Sequence, residues 1–220
     1  MTFVLLVWTM TMADRFEILS VRAAEGGARH IMSVECETEG EKKRETLSVL
    51  TSRMKSVPQK GLCDEEALLF LRREHALCAA LAIGLRALSC GGYSQLQLRQ
   101  KLTLKGVARD VAQEAVQELC DKGYLSERES ALAAAECDLR KLWGNRRILA
   151  DLRAKGYGDE AILAVRELLE SKDGVSRLTR LLQKRHFDTQ NPDKLIASLM
   201  RYGYTRTEIR AALREFASGE

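Results

Sequence analysis

The sequence predicts a mostly all-α protein: a tandem array of three three-helix repeats behind a small N-terminal extension that contains a β-hairpin. Three observations carry this. Aromatic residues make up 5% of the 220 positions and proline occurs twice, at Pro58 and Pro192, too little for the strand-and-turn texture of an all-β chain. The bulk composition, rich in Ala, Leu, Arg, Glu, Lys and Gln, favours helix. An apolar pair ending in glycine recurs three times: Leu98 and Leu102 before Gly106, Ile148 and Leu152 before Gly156, Leu195 and Leu199 before Gly203. The glycines are 50 and 47 residues apart, a repeat period typical of stacked helical units.

Each element follows in chain order. Residues 1–12 form an apolar leader, Phe3-Val4-Leu5-Leu6-Val7-Trp8. It is too short to cross a bilayer and lacks a basic n-region or a small-residue cleavage site. Met10 and Met12 offer later starts, so the leader reads as an artefact of start assignment. Residues 13–62 form a β-rich extension. Phe16–Val21 and His30–Cys36 flank Gly26-Gly27 as a hairpin would. The charged stretch Glu39–Arg44 reads as a loop, Thr46–Leu50 as a third strand or a helix start, and Pro58–Gly61 as the end of the region. From Cys63 on the pattern is helical, with Asp64 as a first N-cap and Gly91-Gly92 as a left-handed stop.

The first repeat takes residues 63–125, the second 126–170 and the third 171–220. In each, an upstream helix (Leu77–Leu88, Ser130–Leu142, Ser176–Gln183) precedes the apolar pair. The pair, spaced i, i+4, packs one helix face, and the glycine closes the helix in a conformation that side chains disfavour. A third helix then turns back, carrying Val111, Ala115, Val116 and Leu119; Ile162, Val165 and Leu168; or Ile209, Ala212, Leu213 and Phe216. Ser94-x-x-Gln97, Ser126-x-x-Glu129 and Thr205-x-x-Glu208 have the spacing of capping boxes, and Pro192 fits a first helical turn.

Together these residues resemble the RecX family, regulators of the RecA recombinase. Tyr93-Ser94-x-x-x-Leu98-x-x-x-Leu102-x-x-Lys105-Gly106 carries the first part. Leu119-x-x-Lys122-Gly123-Tyr124-Leu125 and Trp143-Gly144-Asn145-x-Arg147-Ile148-x-x-x-Leu152-x-x-Lys155-Gly156 carry the second. Leu195-x-x-x-Leu199-x-x-Tyr202-Gly203-Tyr204 fits the family's degenerate third repeat. The likeness spans about residues 63–220. The sequence departs from the family pattern at Ser126-Glu127, where two acids are usual, at Ser130, where an aromatic is usual, and at Tyr202, where lysine is usual. The resemblance implies an all-α array that binds in the groove of the RecA–single-stranded DNA filament, inhibits its growth and strand exchange, and so regulates recombination, repair and the SOS response. It implies no active site and no cofactor. Its expected partners are the RecA filament, the single-stranded DNA within it and free DNA, met by a monomer with no membrane role.

Charge points to where such contact would fall. The net +4 conceals a split: residues 141–220 hold 16 Lys and Arg against 11 Asp and Glu, and residues 1–140 carry a net −1. The candidate filament- or DNA-binding residues are Arg99, Lys101, Lys105, Arg140, Lys141, Arg146, Arg147, Arg153, Lys155, Lys184, Arg185 and Arg201. Basic faces of this kind contact phosphates and make binding salt-dependent; ordinary solvated helix surfaces carry the same residues. Arg146 and Arg153 share a helix face with position 150, and Arg147 lies a position round. Trp143 fits a core anchor between helices and also a base-stacking platform. Tyr93, Tyr124, Tyr157 and Tyr204 fit staples between units, and His186 adds to a basic patch.

Other chemistries find no support. Six scattered cysteines include no C-x-x-C, and three distant histidines make no zinc pattern; reduced core cysteines suit a cytosolic protein. Phosphate-loop, dinucleotide, zinc-protease and serine-hydrolase motifs are absent from the sequence. The alternatives are a helix-turn-helix transcriptional module, which predicts sequence-specific duplex binding by a dimer, and a solenoid that binds protein alone, which predicts salt-insensitive association.

Overall fold

The computed structural model describes residues 14–24, 26–185, 187 and 191–218; the apolar leader and His186 lie outside them. The chain divides into two compact units, Met1–Ala82 and Ile83–Glu220.

In the first unit, β1 (Arg15–Ala23), β2 (Arg29–Thr38), β3 (Glu41–Leu50) and β4 (Gly61–Cys63) form one antiparallel sheet in the order β3-β2-β1-β4. The hairpin expected at Gly26-Gly27 is present. Residues 39–44 are corrected: only Glu39 and Gly40 turn, both at positive φ, and β3 begins at once. The charges there are cross-strand partners. Lys42 lies 3.6 Å from both Glu35 and Glu37, and Arg44 donates to Glu35 at 2.8 Å, so an exposed strand is charged without being a loop. Thr46–Leu50 belongs to β3. Cys63 is also corrected, since it closes β4 opposite Phe16 and the helix starts two residues later.

Helix α1 (Glu65–Leu88) begins where the Asp64 carboxylate accepts from the Ala67 amide at 2.7 Å. Its Leu68 and Leu71 join Ile18, Met32, Val34, Cys36, Leu47 and Val49 in one core. Alternate strand residues supply that inner face. Glu74 is buried on the same helix and bound through both oxygens by Arg53, at 2.5 and 3.2 Å.

The second unit holds the end of α1 and then α2 (Gln95–Leu104), α3 (Arg109–Asp121), α4 (Glu127–Arg140), α5 (Asn145–Ala154), α6 (Asp159–Glu170), α7 (Gly174–Lys184), α8 (Pro192–Arg201) and α9 (Arg206–Ser218). The apolar pairs of α2, α5 and α8 are buried. Each helix ends in the same way. The glycine, at φ 86, 75 and 96, donates to the carbonyl three residues back. The next residue donates to the carbonyl five back, that of Leu102, Leu152 or Leu199. This double bond is the Schellman closure, and the residue that follows the glycine then packs onto the same leucine. Tyr157 and Tyr204 occupy that place and are buried.

Helices α4, α5 and α6 share one core built on Ala131, Ile148, Leu152 and Val165. Helices α7, α8 and α9 share another on Leu178, Leu181, Leu199 and Ile209, which Leu142 enters from the turn after α4. Ser94 and Thr205 make complete capping boxes. Ser126 caps α4 through the Glu129 amide, and Asn191 caps α8 ahead of Pro192. Two expectations change. Gly91 and Gly92 are not left-handed; a Cβ on Gly92 would strike Ser130 instead. At the end of α4 the left-handed residue is Leu142, φ 60, a conformation that costs a side-chain-bearing residue energy.

Two joints tie these helices across the repeats. At the first, the Ser94 hydroxyl donates to the Lys155 carbonyl at 2.6 Å and the Gln95 amide donates to Glu127 at 2.7 Å. At the second, the Gly144 amide donates to the Tyr202 carbonyl at 2.8 Å and the Arg146 amide to the Gly203 carbonyl at 3.2 Å. The Tyr204 hydroxyl closes it, donating to the Leu142 carbonyl at 2.9 Å. Tyr157 instead bonds Ser130 at 2.8 Å inside the α4–α6 core, whereas Tyr204 acts as a staple. Tyr124 does not; it is exposed.

Candidate nucleic-acid interface

The turn from α4 into α5 carries a stack of alternating cations and aromatic rings. Trp143 is half-buried, with one part packed on the α4–α6 core. The Arg147 guanidinium lies 3.8 Å from its ring centroid and the Lys141 ammonium 4.8 Å. Arg147 is also 5.7 Å from the ring of Tyr202, which caps α8. Arg185, at the end of α7, sits 5.6 Å from that ring and donates to its hydroxyl at 2.6 Å. Phe187 meets Tyr202 edge-on, centroids 6.0 Å apart. Cations over aromatic faces are held electrostatically. Trp143 packs on that core as an anchor would, with Arg147 and Lys141 over its ring.

A second feature is a groove of about 500 Å³ between the end of α4 and α7. Arg140, Lys172, Arg177, Arg180 and Lys184 line it, against Glu136 and Asp173. Asp173 is committed to capping α7, accepting from the Ser176 hydroxyl and, at 2.9 Å, from the Val175 amide. The Ser176 bond and then the Val175 bond hold its carboxyl below the usual aspartate value.

The structure therefore gathers some of the sequence-derived residues and leaves others apart. Lys141, Arg147 and Arg185 meet in the stack; Arg140 and Lys184 meet in the groove. Arg146 and Arg153 are exposed on α5 with Ala150, while Arg147 turns toward Trp143, as the helix periodicity required. Arg201 is exposed at the last position of α8. Lys155 is paired with Asp151 at 2.5 Å; burial works against its charge, but the Asp151 carboxylate prevails and raises its pKa. On α2, Arg99 is bonded to Gln113, Lys101 lies over Tyr93 and donates to its hydroxyl at 2.7 Å, and Lys105 is exposed at the C-cap.

Sequence reasoning missed Lys172, Arg177 and Arg180. The signal was present for α7: Arg177, Arg180 and Lys184 stand at i, i+3 and i+7, one helix face. Among the described residues no cluster of His, Cys, Asp and Glu could hold a metal ion, and no helix is long and apolar enough to cross a membrane.

Comparison with known proteins bears on the same helices. Residues 80–119, from α1 through α3, match the model of the RecX first three-helix domain. The chain is 31% identical over 128 residues to the regulatory protein RecX of Xanthomonas axonopodis pv. citri (strain 306), covering 56% of this chain and 78% of that protein. It is 34% identical over 136 residues to the regulatory protein RecX of Trichlorobacter lovleyi, covering 57% of this chain and 88% of that one. Among solved structures, a crystal structure of regulatory protein RecX superposes with a TM-score of 0.67 over 90% of this chain and 99% of that one, at 15% identity. That of RecX from Lactobacillus salivarius gives 0.55 over 64% and 97%, at 20% identity; these two likenesses speak to the fold. Glycine-closed helices, a first trio that matches the family's own domain, and identity spread over most of the relatives' length converge on one conclusion: the chain belongs to the RecX family of regulatory proteins.

Proposed function

We propose that this protein inhibits RecA by binding in the groove of the RecA–single-stranded DNA filament, and so regulates recombination, DNA repair and the SOS response. It acts as a cytoplasmic monomer, by contact and without catalysis. Its helices form three units, α1–α3, α4–α6 and α7–α9, the first boundary bridged by side-chain bonds and the second by backbone bonds, and the basic second and third units face the filament. The observation that carries this reading is the stack of Lys141, Trp143, Arg147, Tyr202 and Arg185. Rings interleaved with cations on a half-exposed edge suit single-stranded nucleic acid, whose bases stack and whose phosphates need positive charge. The twelve basic residues named from the sequence are the proposed contact set, and Arg146, Arg153, Arg185 and Arg201 are among its exposed members.

The test is RecA ATPase on single-stranded DNA with the protein added below stoichiometry. Falling ATPase and strand exchange are expected, with weaker inhibition as salt rises. Arg146→Glu combined with Arg185→Glu should relieve inhibition while far-UV circular dichroism stays unchanged. Unaltered ATPase at every salt concentration would reject the function, and full inhibition by the double variant would reject this face.

A further inference from the structure

Arg177 is an arginine in an unusual place. It is buried to 7% exposure on α7, and no carboxylate among the described residues is ion-paired to it. Its Nη2 donates to the neutral Asn145 side chain at 2.6 Å, its guanidinium lies 5.9 Å from the Tyr204 ring, and its Nε has no partner. Arginine cannot escape such a position by losing its proton, and a buried charge without a counter-charge is costly. Arg177 also lines the α4–α7 groove, where Arg140, Lys172, Arg180 and Lys184 add four more positive charges. No ion pair neutralises these four among the described residues. Of the two acids there, Asp173 is occupied as a cap and acts on Arg177 only through space, without an ion pair, and Glu136 lines the groove from α4.

We propose that this groove is a phosphate socket, in which a backbone phosphate of single-stranded nucleic acid supplies the anion that Arg177 lacks. Arg180, Lys184 and Arg140 make the direct contacts, and Arg177 holds the potential of the floor. The choice of nucleic acid over an acidic peptide rests on continuity. Arg140 and Leu142 line the groove, while Lys141 and Trp143, the residues interleaved with them, belong to the aromatic stack. The turn that ends α4 thus offers a charged socket and a stacking ring side by side, the two halves of a nucleotide. The inference rests on the nucleic-acid contact proposed above and assigns it a second, purely electrostatic subsite.

Two variants of the full chain test it. Arg177→Met removes the buried charge at similar volume, and Arg180→Gln with Lys184→Gln removes two exposed charges that folding does not need. The affinity for labelled oligothymidylate is measured across potassium chloride concentrations. Each variant should lower the slope of log K against log salt by about 0.7, the increment of one single-strand phosphate. Inorganic phosphate, against chloride at equal ionic strength, should raise the melting temperature of the wild type and not of Arg177→Met. Unchanged slopes in both variants, or no response of the wild type to phosphate, would overturn the socket even if oligonucleotide binding is intact. A wild type that binds no oligonucleotide would instead overturn the nucleic-acid contact. Competition by polyglutamate as strong as that of an abasic oligonucleotide of equal charge would replace the nucleic acid by an acidic protein.

Discussion

Gly106 and Gly203 occupy the same place in the repeat signature and differ in what surrounds them, so substituting alanine at each separates two costs. Both are left-handed, at φ 86 and 96. That conformation costs an alanine about 1–2 kcal/mol at either position. Around Gly106 nothing lies within 4 Å of an added Cβ, and Gly106→Ala should lose only this amount. At Gly203 the added carbon would lie 2.5 Å from the Cβ and amide nitrogen of Arg147 and 2.8 Å from the Gly144 carbonyl oxygen. Two of those atoms are backbone, held by the Gly144–Tyr202 and Arg146–Gly203 bonds, and cannot rotate away. Overpacking adds about 1–3 kcal/mol, so Gly203→Ala should lose about 2–5 kcal/mol in all. Urea unfolding followed by far-UV circular dichroism reads both. At roughly 2–4 °C per kcal/mol for a chain of this size, the two melting temperatures should differ by several degrees. Equal losses at the two positions would refute the close approach of α5 to the α8 turn.

Further outcomes follow from other contacts. Tyr204→Phe should destabilise the protein by about 1–3 kcal/mol, because it strands the Leu142 carbonyl; a neutral result in urea unfolding would show that the bond contributes nothing. Glu74→Gln should cost about 3 kcal/mol, the low end for a broken buried pair, since Arg53 keeps some access to solvent; its effect should be read by hydrogen exchange at Leu47 and Val49, which share the core of that unit. Asp173 has a folded-state pKa below its ordinary 3.8. Its contribution to α7 is therefore complete above the unfolded value and lost as pH falls through the folded one. The Val175 amide resonance should move only below about pH 4, and movement at neutral pH would contradict the cap.

The helical half was legible because its punctuation is local. An i, i+4 apolar pair and a glycine four residues later are enough to write a Schellman closure, and the cap residues stand at fixed offsets. The N-terminal sheet was half legible. Lys42 and Arg44 look like loop residues until they are set opposite Glu35 and Glu37, and a three-residue strand such as β4 exists only through its partner Phe16–Ile18. Leu142 was misjudged for a related reason: nothing local marks a leucine as left-handed, and its place is fixed by the distant Leu178–Ile209 core it enters. The site divides the same way. The density of Arg and Lys after position 140 was visible, yet the juxtaposition of Arg140 with Arg177 and Arg180, and of Arg147 with Tyr202, depends on helices some 30 to 55 residues apart in sequence.

Helix α5 starts at Gly144 with no capping side chain. Its first amides are received instead by the main-chain carbonyls of Tyr202 and Gly203. The exchange of the Gly144 and Arg146 protons with solvent deuterium is thereby governed by detachment of the α8 turn and not by fraying of α5 itself. A helix that borrows its cap from the α8 turn cannot open independently of that turn, which couples the opening of α5 to that of α8.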